Sequence, residues 1–546
     1  MLLVIGLDGG TWKLIDPWIA AGALPNLARL RQRGCHGDLR STTPPATMPS
    51  WTSFATGVNP GRHGIFDFTR RQFGTREVRF VNATFRKAPS IWRMLSQAGK
   101  RVAVVGVPGT YPPEDLNGCM ISGFDTPVTT RADDSFVKPR ELASLMHRCG
   151  GFPFADFQEF VTGEGWHAKA RSKLLEGIEK KTRLACALLE RGPWDCFVLV
   201  FGESDTASHH FWHLYDRRSP RYDAAAADQL GDTLFAIYAQ LDAAIGEIEA
   251  RAQPEAVMIL SDHGFGGAGD RAIHINRLLV EIGFQRRSDP RTQGWAGGLK
   301  RLALTAIPAH WQAQAFRLGG GRWAGRLESR ARFSGIAWDG TRAFSEELNY
   351  FPSVWLNLIG RDPDGTVSPA DYERVRDEVC TGLESFTDPL TRRPVVERAW
   401  RREELYHGDW VADAPDIILE LALVDGYSYT CLPTTSSSAS IRTMERSELL
   451  GGKASGMGGS HRPEGMFLFT GAGSGLVHGA RIEDMGATVL AQCGIDPSMA
   501  LDGRPVIAAA PGCEPIDARG ENPEQVYSPA EEAEIEQRLG ALGYLQ

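Results

Sequence analysis

Residues 196–210 read CFVLVFGESDTASHH. Cys196 to Phe201 is apolar, rich in Val, Leu and Phe, and too brief for a helix, which suits a strand buried on both faces of a parallel sheet. An acid and an imidazole follow at once. Asp205 and His209 are four apart, so one helical turn puts them on the same face, where they can close on a single ion, while His210 points away.

The same succession recurs elsewhere in the chain. Leu2 to Leu7 runs into Asp8, and Val257 to Leu260 is followed by Ser261, Asp262 and His263. Val102 to Val107 adds a fourth short apolar run. Between these strands lie helix-length segments: Asn26 to Arg33, Trp51 to Thr56, Ser90 to Ala98, Ser172 to Glu190 and Ala224 to Ala250. The pattern is α/β: a doubly wound, mostly parallel central sheet with helices on both faces. In such sheets ligands gather beyond the carboxyl ends of the strands, where all three acids fall.

Asp and His are ligands suited to Zn²⁺, with Mn²⁺ the other reading. Asp262 and His263 are adjacent after a strand, and Gly264 is expected to supply a turn that lets both reach the site. A further imidazole, His461, stands in GGKASGMGGSHRPEGMFLF, read as a Gly-rich loop before a strand, with His407 and His478 as its rivals. Thr47 lies in TTPPATMPSWTSFATG, where an extended Pro-rich stretch gives way to a helix whose first turn holds Pro49. Thr47 is therefore expected at or near a helix N-terminus, a place that favours a phosphate group. Thr42, Thr43 and Thr52 compete with it. His63 reads as a structural residue, and His274 and Asn276 as turn and packing residues.

The pieces PATMPSWTSFATGVNPGRHGI, DTASH, SDHGF and the late GSH, in this order, resemble the alkaline phosphatase superfamily, in particular its type I phosphodiesterase/nucleotide pyrophosphatase branch. The resemblance implies two zinc sites, one from Asp8, Thr47, Asp262 and His263, the other from Asp205, His209 and His461. It also implies Thr47 as a nucleophile that becomes phosphorylated, and a small-molecule phosphate ester as substrate, by preference a diester. Phosphomonoesterase and phosphomutase are alternatives within the superfamily, and a non-catalytic binding module on the same fold is a third. Nucleotide-active members often carry an Asn shortly after the HGI segment; Phe66, Asp67 and Phe68 stand there, so nucleotide pyrophosphatase activity is not carried over. Sulfatases mature a Cys or Ser where this chain has Thr47, which disfavours sulfate esters.

The remaining features set boundaries. The formal net charge of -8 gives no reason to expect a nucleic-acid partner. Nine scattered cysteines without a CxxC pair argue against a disulfide framework, and no long apolar run or signal-peptide pattern is seen, so the expected compartment is the cytoplasm. Residues 1–284 are read as the first part of the core and 333–510 as its second part with surface elaboration, the stretch from about Phe333 to Leu450 supplying the later half of the sheet. Residues 511–546 form a tail ending in a capped helix from Ser528 to Leu545. The segment 285–332 holds ten Lys or Arg against two carboxylates, with Trp295, Trp311 and Trp323 interleaved. It reads either as a solvated helical insertion or as a cap touching substrate or a membrane surface.

Overall fold

The computed structural model describes residues 1–127, 134–154, 165–288, 333, 335–347, 351–435, 438–449, 457–471, 473–496, 501–507 and 524–542. Five parallel strands form the centre of a ten-stranded sheet, in the order Ala256–Leu260, Leu2–Leu7, Cys196–Phe201, Val102–Val105 and Gly118–Ile121. Val137–Lys138 closes one side in the antiparallel sense. On the other side Glu464–Thr470 runs antiparallel beside Ala256–Leu260 and pairs outward with Gly34–Arg40. The short strands Gly475–Leu476 and Ala480–Arg481 finish that edge.

The first strand shows why the sheet is wrapped on both faces. Successive side chains of a strand point to opposite sides. Leu3, Ile5 and Leu7 enter a core shared with helices Trp12–Ala20, Pro25–Gln32, Trp166–Leu189, Glu203–Tyr215 and Thr233–Ala252. Leu2 and Val4 enter a second core with Trp51 and Phe54 of helix Thr47–Thr56, with helix Ile91–Gln97, and with helix Ile482–Gln492. An α/β fold with a mostly parallel sheet and helices on both faces is thus what the chain adopts.

Two expectations about elements need correction. The run Ala224 to Ala250 is not one helix but two, Ala224–Leu230 and Thr233–Ala252, because Gly231 and Asp232 end the first and begin the second. Nor does the region after Phe333 supply half of the central sheet. Ala343–Phe344, Ser353–Leu356, Ile417–Leu421 and Val396–Arg401 make a separate antiparallel sheet, covered by helix Tyr372–Glu384 and held over its own core. The chain returns to the central sheet only at Glu464.

The terminal helix is Pro529–Leu542, and Ser528 and Glu531 close its first turn reciprocally. Arg538 anchors it to the body by donating to the carbonyls of Phe124 and Thr126. The basic, Trp-bearing stretch lies outside the described residues apart from Gln285–Ser288, where Gln285 is buried against Asn276. No helix among the described residues is long and apolar enough to cross a membrane.

Candidate metal centre and nucleophile

Strand register brings the three acids level. Leu7 pairs with Phe201 and Gly6 with Leu260, so Asp8, the turn before Asp205, and Asp262 leave the sheet at the same height. Main-chain and side-chain contacts lock that arrangement: Asp8 N–H donates to the Phe201 carbonyl at 3.0 Å, and Ser204 Oγ donates to the Asp8 carbonyl at 2.7 Å. Asp205 and His209 share a face of helix Glu203–Tyr215, with His209 Nε2 3.6 Å from Asp205 Oδ1. His210 turns away and packs its ring against Trp166. Trp212 stacks on Phe265.

His461 belongs to a short strand, Gly459–Arg462, and not to a loop. That strand pairs antiparallel with Gly264–Ile273, placing His461 opposite Phe265. The pairing delivers its ring onto that of His263, with centroids 3.5 Å apart. Gly264 likewise plays a different part from the expected one. It begins the strand Gly264–Ile273 without a left-handed backbone, and a Cβ there would lie 1.9 Å from the Glu464 carbonyl oxygen. Close approach of two backbones, not a turn, requires the glycine.

Thr47 is the first residue of its helix, and Ala46 provides the non-helical cap position. Its hydroxyl is fully buried and lies 3.3 Å from His263 Nε2. Two of the competing threonines are tied to main chain: Thr42 Oγ1 donates to the Pro44 carbonyl and Thr52 Oγ1 to that of Met48. His407 is largely exposed and pairs with Asp502, and His478 is exposed. His63 is buried away from the cluster, accepting from Ile65 N–H through Nδ1 and meeting Ser53 Oγ through Nε2. His274 bonds to the Pro433 carbonyl, and Asn276 to that of Ser345.

All seven singled-out residues therefore meet at the carboxyl edge of the sheet, six of them in two groups and Thr47 beside His263. Asp8, Asp262 and His263 offer ligand atoms within 4.8 Å of one another, as do Asp205, His209 and His461. Asp262 Oδ2 is 3.2 Å and Asp8 Oδ1 3.6 Å from His263 Nε2, while Asp205 Oδ1 is 3.2 Å from His461 Nε2 and 3.9 Å from His263 Nε2. Asp205 thus sits between the groups.

The imidazoles share a tautomer. Nδ1 of His209 faces the Gly459 carbonyl at 3.1 Å, Nδ1 of His263 that of Gly264 at 3.1 Å, and Nδ1 of His461 that of Pro45 at 2.8 Å. A carbonyl only accepts, so each Nδ1 carries the proton and each Nε2 turns a lone pair inward. His209 Nε2 and His461 Nε2 lie only 2.9 Å apart. Two lone pairs at that distance repel unless a cation lies between them. Burial pushes His209 and His263 well below the usual imidazole range, and His461 down to about 3. Burial, then the Asp205 charge, pushes the Asp8 carboxyl well up, and burial with Asp8 and Asp205 does the same to Asp262. Asp8 Oδ1 and Asp262 Oδ2 are buried with no hydrogen-bond donor among the described residues. Three carboxylates and three neutral imidazoles, all buried, form a donor set that suits divalent cations.

Two features escaped the sequence reading. Trp51 donates its indole N–H to Asp8 Oδ2 at 3.0 Å, and Gly9 N–H donates to Asp262 Oδ1 at 3.2 Å. The first has a signal in the sequence, a polar-headed aromatic one turn after Thr47; the second is main chain and has none.

Comparison with known proteins agrees with this fold. Phosphonoacetate hydrolase from Sinorhizobium meliloti, solved with phosphonoformate, superposes with a TM-score of 0.53 at 17% identity, covering 89% of this chain and 93% of that one. The same enzyme with phosphonoacetate gives 0.52 at 16%, over 89% and 93%. Murine ectonucleotide pyrophosphatase/phosphodiesterase 5 gives 0.44 at 11%, over 89% and 93%. No curated protein sequence matches the chain. The model of the type I phosphodiesterase/nucleotide pyrophosphatase family matches residues 2–435, most of the 546, and the chain belongs to that family of phosphoester hydrolases.

Proposed function

We propose that the chain hydrolyses phosphodiesters at a two-cation site, with Asp8, Asp262, His263 and Thr47 serving one cation and Asp205, His209 and His461 the other. The observation that carries this reading is the common orientation of the three imidazoles, each held at Nδ1 by a carbonyl, with Nε2 directed at the carboxylates beside the Thr47 hydroxyl. Zinc suits the mixed nitrogen and oxygen donors. Divalent cations, when bound, supply the charge that lowers the pKa of the attacking hydroxyl and offsets the negative phosphoryl oxygens.

Thr47 does the bond making. Its helix begins at that residue, so the main-chain N–H groups of Thr47 and Met48 precede the first intrahelical bond, which Ser50 makes to Ala46, and can meet a phosphoryl oxygen. Attack by Oγ1 in line with the leaving oxygen forms a phospho-threonine and releases an alcohol. A water then attacks phosphorus from the vacated side, regenerating the hydroxyl and releasing the phosphomonoester. Two displacements give overall retention at phosphorus.

The preference for a diester rests on two cations near the site among the described residues, Lys181 and Arg462, which are engaged elsewhere. Lys181 acts on Asp8 electrostatically but is paired with Glu203 at 3.0 Å. Arg462 donates to the carbonyls of His461, Gly267 and Gly426. Neither is offered to the second charge of a monoester dianion. A comparison of bis-p-nitrophenyl phosphate with p-nitrophenyl phosphate tests this: the diester is expected to turn over faster in a Thr47-dependent way, and a monoester preference would reverse the assignment.

A further inference from the structure

We infer that Trp51 is a positioning residue for the proposed metal centre: its indole N–H fixes Asp8 Oδ2, so that Oδ1 is the oxygen presented beside His263. The inference rests on the two-cation reading above.

The geometry is specific. Trp51 is fully buried and lies one turn after Thr47 on the same helix, so the segment that begins with the proposed nucleophile also grips the carboxylate across from it. The Nε1–H to Asp8 Oδ2 distance is 3.0 Å, and the remaining oxygen, Oδ1, stands 3.6 Å from His263 Nε2. Indole is a donor without an acceptor, so it can bond only a carboxylate oxygen that keeps its lone pairs, and it cannot compete for a cation. The slot for the ring is built into the first strand. A Cβ on Gly6 would fall 2.5 Å from the Trp51 ring edge, so the residue two before Asp8 has to be glycine for the indole to reach it. Phe54 also packs on the indole with an edge contact, ring centroids 5.7 Å apart.

Asp262 is treated in parallel fashion, one oxygen taking the Gly9 N–H at 3.2 Å and the other turned to His263. Both acids of this group thus have one oxygen tethered and one directed inward. A tether of this kind sets the ligand's orientation, and its removal typically lowers metal affinity about 10–100-fold. Asp205, His209 and His461 have no part in the Trp51 contact, so the effect belongs to one group alone.

The test is zinc titration of full-length chelator-stripped protein against a chromophoric competitor. Trp51→Phe keeps the aromatic packing and removes the donor. Weakening of one of two zinc sites by about 10–100-fold, with the other unchanged, is the expected result. Equal affinities in variant and wild type, or equal loss at both sites, would overturn the inference. Asp8→Asn, run alongside, separates it from the reading beneath it. Wild-type zinc binding by Asp8→Asn would remove the metal reading itself, whereas a defect in Asp8→Asn without one in Trp51→Phe would remove only the role of Trp51. If Trp51→Phe does not fold, ¹⁵N-indole spectra of the wild type decide. The indole resonance displaced by Asp8→Asn must also move as the first zinc equivalent binds, and a resonance indifferent to zinc would contradict the proposal.

Discussion

Thr47 and Thr52 are chemically alike and five positions apart, yet only the first is spared main-chain bonding and turned to an imidazole. Replacing Thr47 by Ala removes one buried hydroxyl and little else. Turnover of a diester is expected to fall by about a thousandfold or more, while the cation of the Asp205, His209 and His461 group is retained, as judged by steady-state rates beside elemental analysis. His63 offers a prediction of another kind. Burial holds it neutral, pushed down to about 3, and its Nδ1 must stay unprotonated to accept from Ile65 N–H. The unfolded chain takes up a proton near pH 6.5 and the folded one does not until about 3, so stability is fully present above 6.5 and is lost as pH falls through that window. The loss from this residue approaches about 1.4 kcal/mol per pH unit. Urea unfolding of wild type and His63→Gln at pH 7 and pH 5 measures it. The gap between the two proteins should narrow or invert at pH 5, and parallel curves would assign the acid sensitivity elsewhere.

At the scale of elements, close backbone approach decides more than propensity. Gly264 starts the strand that carries the main chain from His263 toward the His461 strand, and any side chain there meets the Glu464 carbonyl at 1.9 Å. Gly264→Ala is therefore expected to cost roughly 3 kcal/mol or more, seen as a lowered melting temperature, since backbone on both sides must move. The same physics explains what the sequence concealed. Leu2–Leu7, Cys196–Phe201 and Ala256–Leu260 announce themselves because strands buried on both faces need unbroken apolar runs. Gly34–Arg40, with the sequence GCHGDLR, has no such run and two glycines; it is a strand because Glu464–Thr470 pairs with it residue by residue. Gly37 lies where a Cβ would strike the Val477 carbonyl, a contact between segments far apart in sequence. The helix Trp12–Ala20 was hidden by Pro17 within it. The separate sheet of residues 343–421 shows ordinary strand patterns, but nothing local says which sheet a strand will join.

For the whole molecule, the meeting of residues from the start, middle and end of the chain follows from strand order, which is why strand-end acids were readable and their indole and amide tethers were not. The His461 contribution is the most global of these, since it lies beyond the family match at residue 435 and reaches the site through pairing with Gly264–Ile273. A pocket of three buried carboxylates with inward lone pairs should couple stability to metal. Stripping the protein with a chelator is expected to lower its melting temperature and added zinc to restore it, by about 2.7 kcal/mol for each site at which free zinc is a hundredfold above its dissociation constant. Calorimetric scans with and without chelator check this. Anomalous diffraction at the zinc edge, from crystals of the full chain grown with zinc, addresses the central claim directly. The expected map has two peaks, one about 2.0–2.2 Å from ligand atoms of Asp8, Asp262 and His263 and the other at the same distance from Asp205, His209 and His461, with Thr47 Oγ1 beside the first. A map with no peak among these side chains, or with its peaks elsewhere on the molecule, would contradict it.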